Sequence, residues 1–97
     1  MADKYALNEE QLQAALGDLD GWRVVDGKLH KQYKFRNFAM AIGWMMSAAI
    51  EIDKLNHHPE WSNVYNRVTV NLVTHDVGNQ ISNLDVTLAA RLDALAG

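Results

Sequence analysis

The sequence predicts an α+β fold, a single domain over residues 1–97 ordered α-β-β-α-β-β-α, with a four-stranded antiparallel sheet and three helices packed on one face. Three observations predict it. Runs rich in β-branched and aromatic residues flank a long apolar stretch on both sides. Asp26-Gly27 separates two strand-like segments, and a type I′ hairpin turn favours that dipeptide because both central residues need positive φ. Capping signatures open the first and last helical segments. An antiparallel sheet with helices gathered on one face is the stable layering for this order of elements.

The first helix is expected from about Glu9 to Leu19. Asn8 caps it, with Gln11 at the reciprocal position, and Leu7 and Leu12 are placed to form a hydrophobic staple. Glu9 and Glu10 lie at the positive end of its dipole. Leu12, Ala15, Leu16 and Leu19 make its apolar stripe. Strands follow at Trp22 to Val25 and Lys28 to Phe35. In the second of these Leu29, Lys31, Tyr33 and Phe35 share a face expected to meet the core. Lys28, Lys31, Lys34 and Arg36 read as guards of an exposed strand edge.

Asn37 caps a second helix that runs to about Leu55. Phe38, Ala41, Ile42, Met45, Ala49 and Ile52 form its stripe, yet Met40, Trp44, Met46, Ala48 and Ile50 cover much of the rest. A helix apolar nearly all round is buried on more than one side. One small sheet cannot supply both partners, so helix 38–55 is expected to form the interface of a homodimer or homotetramer. Strands at Trp61 to Tyr65 and Val68 to Thr74 come next, after Pro59. A Ser82-x-x-Asp85 cap then opens a helix striped by Leu84, Leu88, Leu92 and Leu95.

Composition narrows the function. At 48 % apolar and 22 % charged the chain is globular. A net charge of −3 offers no electrostatic footprint for nucleic acid. With no cysteine there is no disulfide framework, no thiolate metal site and no cysteine nucleophile. The first residues carry no apolar signal segment, and the uncharged run Asn37 to Ile50 is too short to span a bilayer. A soluble cytoplasmic chain without membrane contact is expected.

Of four histidines, His30 stands among polar residues on a strand face and reads as surface. His57 and His58 precede Pro59, and His75 ends the last strand. Asp53 and His57 are four apart, the spacing of one helix face. A carboxylate there fixes the tautomer of an imidazole and favours its protonated form, as does a helix C-terminus. Such a ring is suited to proton transfer near neutral pH. The plainer alternative is a histidine that only partners the helix dipole. Three histidines and an aspartate also match a zinc site in composition, although adjacent histidines diverge and rarely hold one ion. Trp61 and Tyr65 suit either stacking on a flat heterocycle or the core.

The run Asp53-Lys-Leu-Asn-His-His-Pro-Glu-Trp-Ser-Asn-Val-Tyr-Asn-Arg-Val, then Leu72-Val-Thr-His75 and Ser82-x-x-Asp85, resembles the signature of the pterin-4a-carbinolamine dehydratases. The similarity extends upstream through Gly21-Trp22, the Lys31 to Phe35 strand and the Phe38-x-x-Ala helix start, so it covers nearly the whole chain. It implies a hydro-lyase that removes water from 4a-hydroxytetrahydropterin to give quinonoid dihydropterin. That reaction recycles the tetrahydrobiopterin-type cofactor of aromatic amino acid hydroxylases and needs no metal or organic cofactor. The resemblance implies His57, His58 and His75 as catalytic residues. It implies a substrate pocket of Asn56, His57, His58, Val73, Thr74, His75 and Asp76, with Asp53, Trp61 and Asp85 in support. On this reading His57 or His75 protonates the leaving hydroxyl and His58 holds the ring. Asp53 stands where many members have glutamate, and Asn56 where some have aspartate. The Gly78 to Ser82 link is one residue longer than usual. Animal members also serve as dimerisation cofactors of a transcription factor through the helix that here carries Trp44, Met45 and Met46, so a protein-interaction module without essential catalysis is the alternative.

Overall fold

The structure is a computed structural model that describes residues 3–97. The elements are α1 (Glu9–Gly17), β1 (Arg23–Val25), β2 (Lys28–Lys34), α2 (Phe38–Leu55), β3 (Glu60–Val64), β4 (Arg67–Leu72) and α3 (Asn83–Ala96), with a 3-10 turn at His75–Val77. The four strands form one antiparallel sheet ordered β1-β2-β4-β3, and the helices cover one face of it. This is the predicted architecture.

Local chemistry explains the boundaries. Asn8 Oδ1 accepts from Gln11 N while Gln11 Oε1 accepts from Asn8 N, the reciprocal cap expected of that pair. α1 stops at Gly17, two residues short of the expected end, and Leu19 enters the core from the following turn. Asp26 and Gly27 adopt φ 52° and 77°, as the tight hairpin requires. β4 ends at Leu72 rather than Thr74, because Thr74 leaves the ladder to bridge Gln80.

The core lies between the sheet and the helices. Leu29 and Tyr33 of β2, Val68, Val70 and Leu72 of β4 and Leu88 and Leu92 of α3 belong to one buried cluster. Around Trp44 the rings of Tyr33, Phe35 and Trp61 pack with centroids 4.5, 5.3 and 6.3 Å away. Such tilted pairs add to the free energy of burial.

Three expectations are corrected here. The buried row of α2 is Ala41, Trp44, Ala48 and Ile52. Phe38 and Ala49, assigned to the stripe, are exposed, and Trp44 and Ala48, assigned to the outer surface, are core. Spacing alone admits either rotation of an almost wholly apolar helix, and the bulk of Trp44 decides it by filling the space over Tyr33. What remains outside is Phe38, Met40, Met46 and Ile50. β2 is an interior strand, flanked by β1 and β4, so its lysines guard no edge. Lys28 pairs with Glu60 across the outer sheet face at 2.6 Å, and Lys31 reaches Asp93 at 2.9 Å. Finally, Leu95, assigned to the apolar stripe of the last helix, is 42 % exposed.

Among the described residues, no helix is long and apolar enough to cross a membrane.

Candidate active site

The site forms where α2, the segment after β4 and the start of α3 converge. α2 does not reach His57. Asn56 adopts left-handed φ 52°, and His57 N bonds back to Ile52 O while Asn56 N bonds to Asp53 O. That pair of bonds is the Schellman termination, which Asn tolerates because its short polar side chain suits the left-handed region. His57 therefore leaves the helix axis and turns inward, and it does not share a helix face with Asp53. His58 Nε2 stands 3.5 Å from Asp53 Oδ1 instead, with both side chains largely in solvent. The expected Asp53–His57 pair is thus replaced by Asp53–His58, a contact of small energetic weight.

The carboxylate at His57 belongs to Asp85. Asp85 is fully buried and His57 is 9 % exposed, with His57 Nε2 2.5 Å from Asp85 Oδ1. Asp85 Oδ2 accepts from Thr74 Oγ1 and from Ser82 N, each at 2.8 Å. Thr74 Oγ1 and Ser82 Oγ share a hydrogen bond of 2.6 Å. The same Ser82 and Asp85 make the capping box of α3. One carboxylate therefore closes a helix end and holds an imidazole. Its charge also lies at the positive end of the helix dipole. Among the described residues no buried polar side-chain atom lacks a partner. A fully satisfied network in a low-dielectric interior is rigid. With Nε2 committed to Asp85, Nδ1 is the His57 nitrogen left for a ligand.

Above this network lies a hollow of about 210 Å3, lined by Lys4, Asn56, His57, His58, Val73, Thr74, His75 and Asp76. Every substrate-pocket residue expected from the sequence lines it. Its volume suits a small bicyclic heterocycle, being below the usual range for drug-sized ligands. Trp61 is placed differently. It lines a neighbouring depression of about 300 Å3 with Ala49, Ile52, Asp53, His58 and Pro59, so it and Asp53 stand on the far side of His58. A broader depression of about 540 Å3 on Ala49, Ile50, Asp53 and Lys54 is a feature of one helix surface and gathers none of the histidines.

Lys4 was not among the expected residues. The arm before α1 is tied to the start of α3 by Tyr5 N to Asn83 Oδ1, by Asn83 Nδ2 to Asp3 O and by the Ala6–Ser82 bridge. This puts Lys4 Nζ 2.5 Å from Asp76 Oδ2 at the rim. The hydrogen bond from Lys4, then its charge, holds the Asp76 carboxyl below the usual carboxylate range. Only tertiary structure reveals this residue, since the contact spans most of the chain. Asn79 was also missed; it lies 2.5 Å from the His75 ring. Among the described residues no three His, Asp or Glu side chains are grouped so as to hold a metal ion.

With this geometry in place, the comparisons are specific. The family model described as Pterin 4 alpha carbinolamine dehydratase matches residues 5–95. A Solibacter usitatus protein named "Putative pterin-4-alpha-carbinolamine dehydratase" is 53 % identical over 90 residues, covering 93 % of this chain and 94 % of its own. A protein of the same name from Brucella ovis is 45 % identical over 93 residues, covering 94 % and 95 %. The crystal structure of a transcriptional coactivator/pterin dehydratase from Brucella melitensis superposes with a TM-score of 0.91 at 44 % identity, over 96 % of this chain and 100 % of that one. A pterin dehydratase-like protein identified as a RuBisCO assembly factor shares the fold, with a TM-score of 0.64 at 23 % identity over 78 % of this chain and 87 % of its own. The chain belongs to the pterin-4a-carbinolamine dehydratase family.

Proposed function

We propose that the chain removes water from a 4a-hydroxytetrahydropterin, giving quinonoid dihydropterin, by acid/base catalysis on histidine, and so returns a tetrahydrobiopterin-type cofactor to aromatic amino acid hydroxylases in the cytoplasm. The observation that carries this reading is the clustering of His57, His58 and His75 around one small hollow, with His57 braced by a buried carboxylate. The reaction needs a proton for the hydroxide leaving C4a and an acceptor for the proton of N5. Two imidazoles on one cavity can meet both needs near neutral pH, and such groups typically contribute about 10²–10⁴-fold each. His58, turned toward Asp53, is suited to hold the ring.

Dehydration of freshly generated carbinolamine, followed with wild-type protein and with His57→Ala and His75→Ala, tests it. Wild type is expected to outpace the spontaneous reaction, and each variant to fall by about 10²-fold or more. Unchanged rates in both variants would remove the mechanism.

The apolar surface of α2 supports self-association. Met46 and Ile50 are 69 % and 59 % exposed, beside Met40 and Phe38. A patch of this kind marks an interaction surface. We assign it to a second copy of this chain in a homodimer or homotetramer, which is also the surface that an interaction role without catalysis would use. Met46→Glu is expected to move the sedimentation profile toward the monomer, because a charge would have to be desolvated in the contact. A profile identical to wild type counts against an interface there.

A further inference from the structure

The turn after β4 contains a contact that nothing at His57 duplicates. His75 Nδ1 lies 2.5 Å from Asn79 Oδ1. An amide oxygen only accepts, so Nδ1 carries the proton and the lone pair is on Nε2. The turn is closed by Gly78 N to His75 O at 3.1 Å and by Thr74 N to Gln80 O at 3.0 Å. Asn79 itself sits at φ 59°, following Gly78 at φ 76°. Two consecutive left-handed residues fold the chain back so that the amide meets the ring. Asn is among the few side chains that take this conformation readily.

His57 and His75 therefore have different partners. His57 leans on a buried carboxylate, which accepts from Nε2 and leaves Nδ1 for a ligand. His75 leans on a neutral amide, which selects a tautomer without adding a negative charge. His75 is also exposed, so solvent can carry a proton away from it.

We propose that Asn79 is a positioning residue that presents His75 Nε2 as the proton acceptor of the site, dividing the work so that His57 is the acid and His75 the base. This rests on the carbinolamine reading and deepens it. The N5 proton passes to His75 Nε2. The electron pair of the N5–H bond becomes the second bond of C4a=N5. The C4a–O bond breaks, and the hydroxide takes a proton from His57 to leave as water. Exchange with solvent then restores one proton to His57 and removes one from His75.

Tautomer measurement decides it apart from turnover. Nitrogen-15 correlation spectra of the His75 ring in the full-length protein, taken where the ring is neutral, are expected to show the Nδ1–H form. Asn79→Gly removes the amide while suiting the positive φ. It is expected to release the ring to the ordinary Nε2–H form and to lower kcat by about tenfold with little change in KM, a fraction of what a general base contributes. Asn79→Asp keeps an acceptor at the same position. It is expected to retain the Nδ1–H form and most of the rate, and to move the acid limb of the pH–rate profile to higher pH, because an added negative charge favours the protonated ring. The other charged or titratable groups around the hollow are Asp76, paired with Lys4, and His57 and His58, and neither variant alters them. An Nε2–H ring in wild type, or an Asn79→Gly protein with unchanged tautomer and pH profile, overturns the proposal. A wild-type protein with the Nδ1–H ring but no dehydration activity would overturn the base role through failure of the proposed reaction, leaving the Asn79–His75 link established.

Discussion

Asp85→Asn is expected to slow carbinolamine dehydration by about 10²–10⁴-fold, as much as removal of an acid catalyst costs, while the protein stays folded. The reason is the direction of the hydrogen bonds. Thr74 Oγ1 and Ser82 N both donate to Asp85 Oδ2, and an asparagine satisfies them only by keeping its oxygen there. Its NH2 group then faces His57 Nε2, where Asp85 Oδ1 accepts in the native protein. A donor at that place requires Nε2 to accept, so the imidazole proton moves to Nδ1 and the ring can no longer carry a proton on both nitrogens within this contact. The size and shape of the side chain are unchanged, so the cap on α3 loses only its charge, about 0.3–1 kcal/mol from the helix dipole. His57→Ala is expected to reduce the rate to a similar level, and the double variant to fall little further, because residues acting as one unit are not additive. An Asp85→Asn enzyme within a few-fold of wild type would show that the carboxylate serves α3 alone.

The site was legible in the sequence in proportion to how local each signal is. Asn8, Asn37 and Ser82 announce their helices because a cap is a matter of a few adjacent residues, and all three accept the expected backbone N–H. The pocket residues were named through the family resemblance, whose motifs fall on two short segments, Asn56 to His58 and Val73 to Asp76, that carry seven of the eight lining positions. Pairing was not. Asp53 lies four residues from His57, yet the carboxylate that binds it is 28 positions away, and the left-handed turn at Asn56 separates the nearer one. Asp85 could be named from the cap signature alone. That its second oxygen turns toward a histidine depends on how α3 docks against the end of β4. Lys4 and Asn79 depend likewise on a tertiary bridge and on the backbone of one turn. The same limit applies to Lys31, whose alternation on β2 correctly pointed it to the helix-covered face but could not say what would receive its charge.

That receiver is Asp93, and Asp93→Ala is expected to lower stability by about 2–4 kcal/mol, since each buried donor left without a partner costs roughly 1–3 kcal/mol. Trp22 Nε1 lies 3.1 Å from both carboxylate oxygens, Lys31 Nζ lies 2.9 Å from one of them, and the Tyr33 hydroxyl donates to that same oxygen. Trp22 and Tyr33 are 5 % and 6 % exposed, so water cannot readily replace the carboxylate for either. Lys31 keeps Asp20 O at 2.8 Å and its place over the Tyr33 ring, and loses less. In a chain of 97 residues such a loss corresponds to a Tm lower by roughly 10–25 °C. The pH dependence carries a second signature. Burial first, and then the hydrogen bond and charge of Asp93, push the Tyr33 phenol above its ordinary value of 10.0. A group whose folded value is raised contributes stability that is present below the unfolded value and lost as the pH rises beyond it. Wild type is therefore expected to lose stability above pH 10.0, and Asp93→Ala to show a shallower decline, not a flat one, because the larger cause is burial. Thermal unfolding of both proteins at neutral and alkaline pH measures the two effects together. A variant with the wild-type Tm at neutral pH would mean that Trp22 and Tyr33 find other acceptors, and that the link between α3 and the first hairpin rests on apolar packing alone.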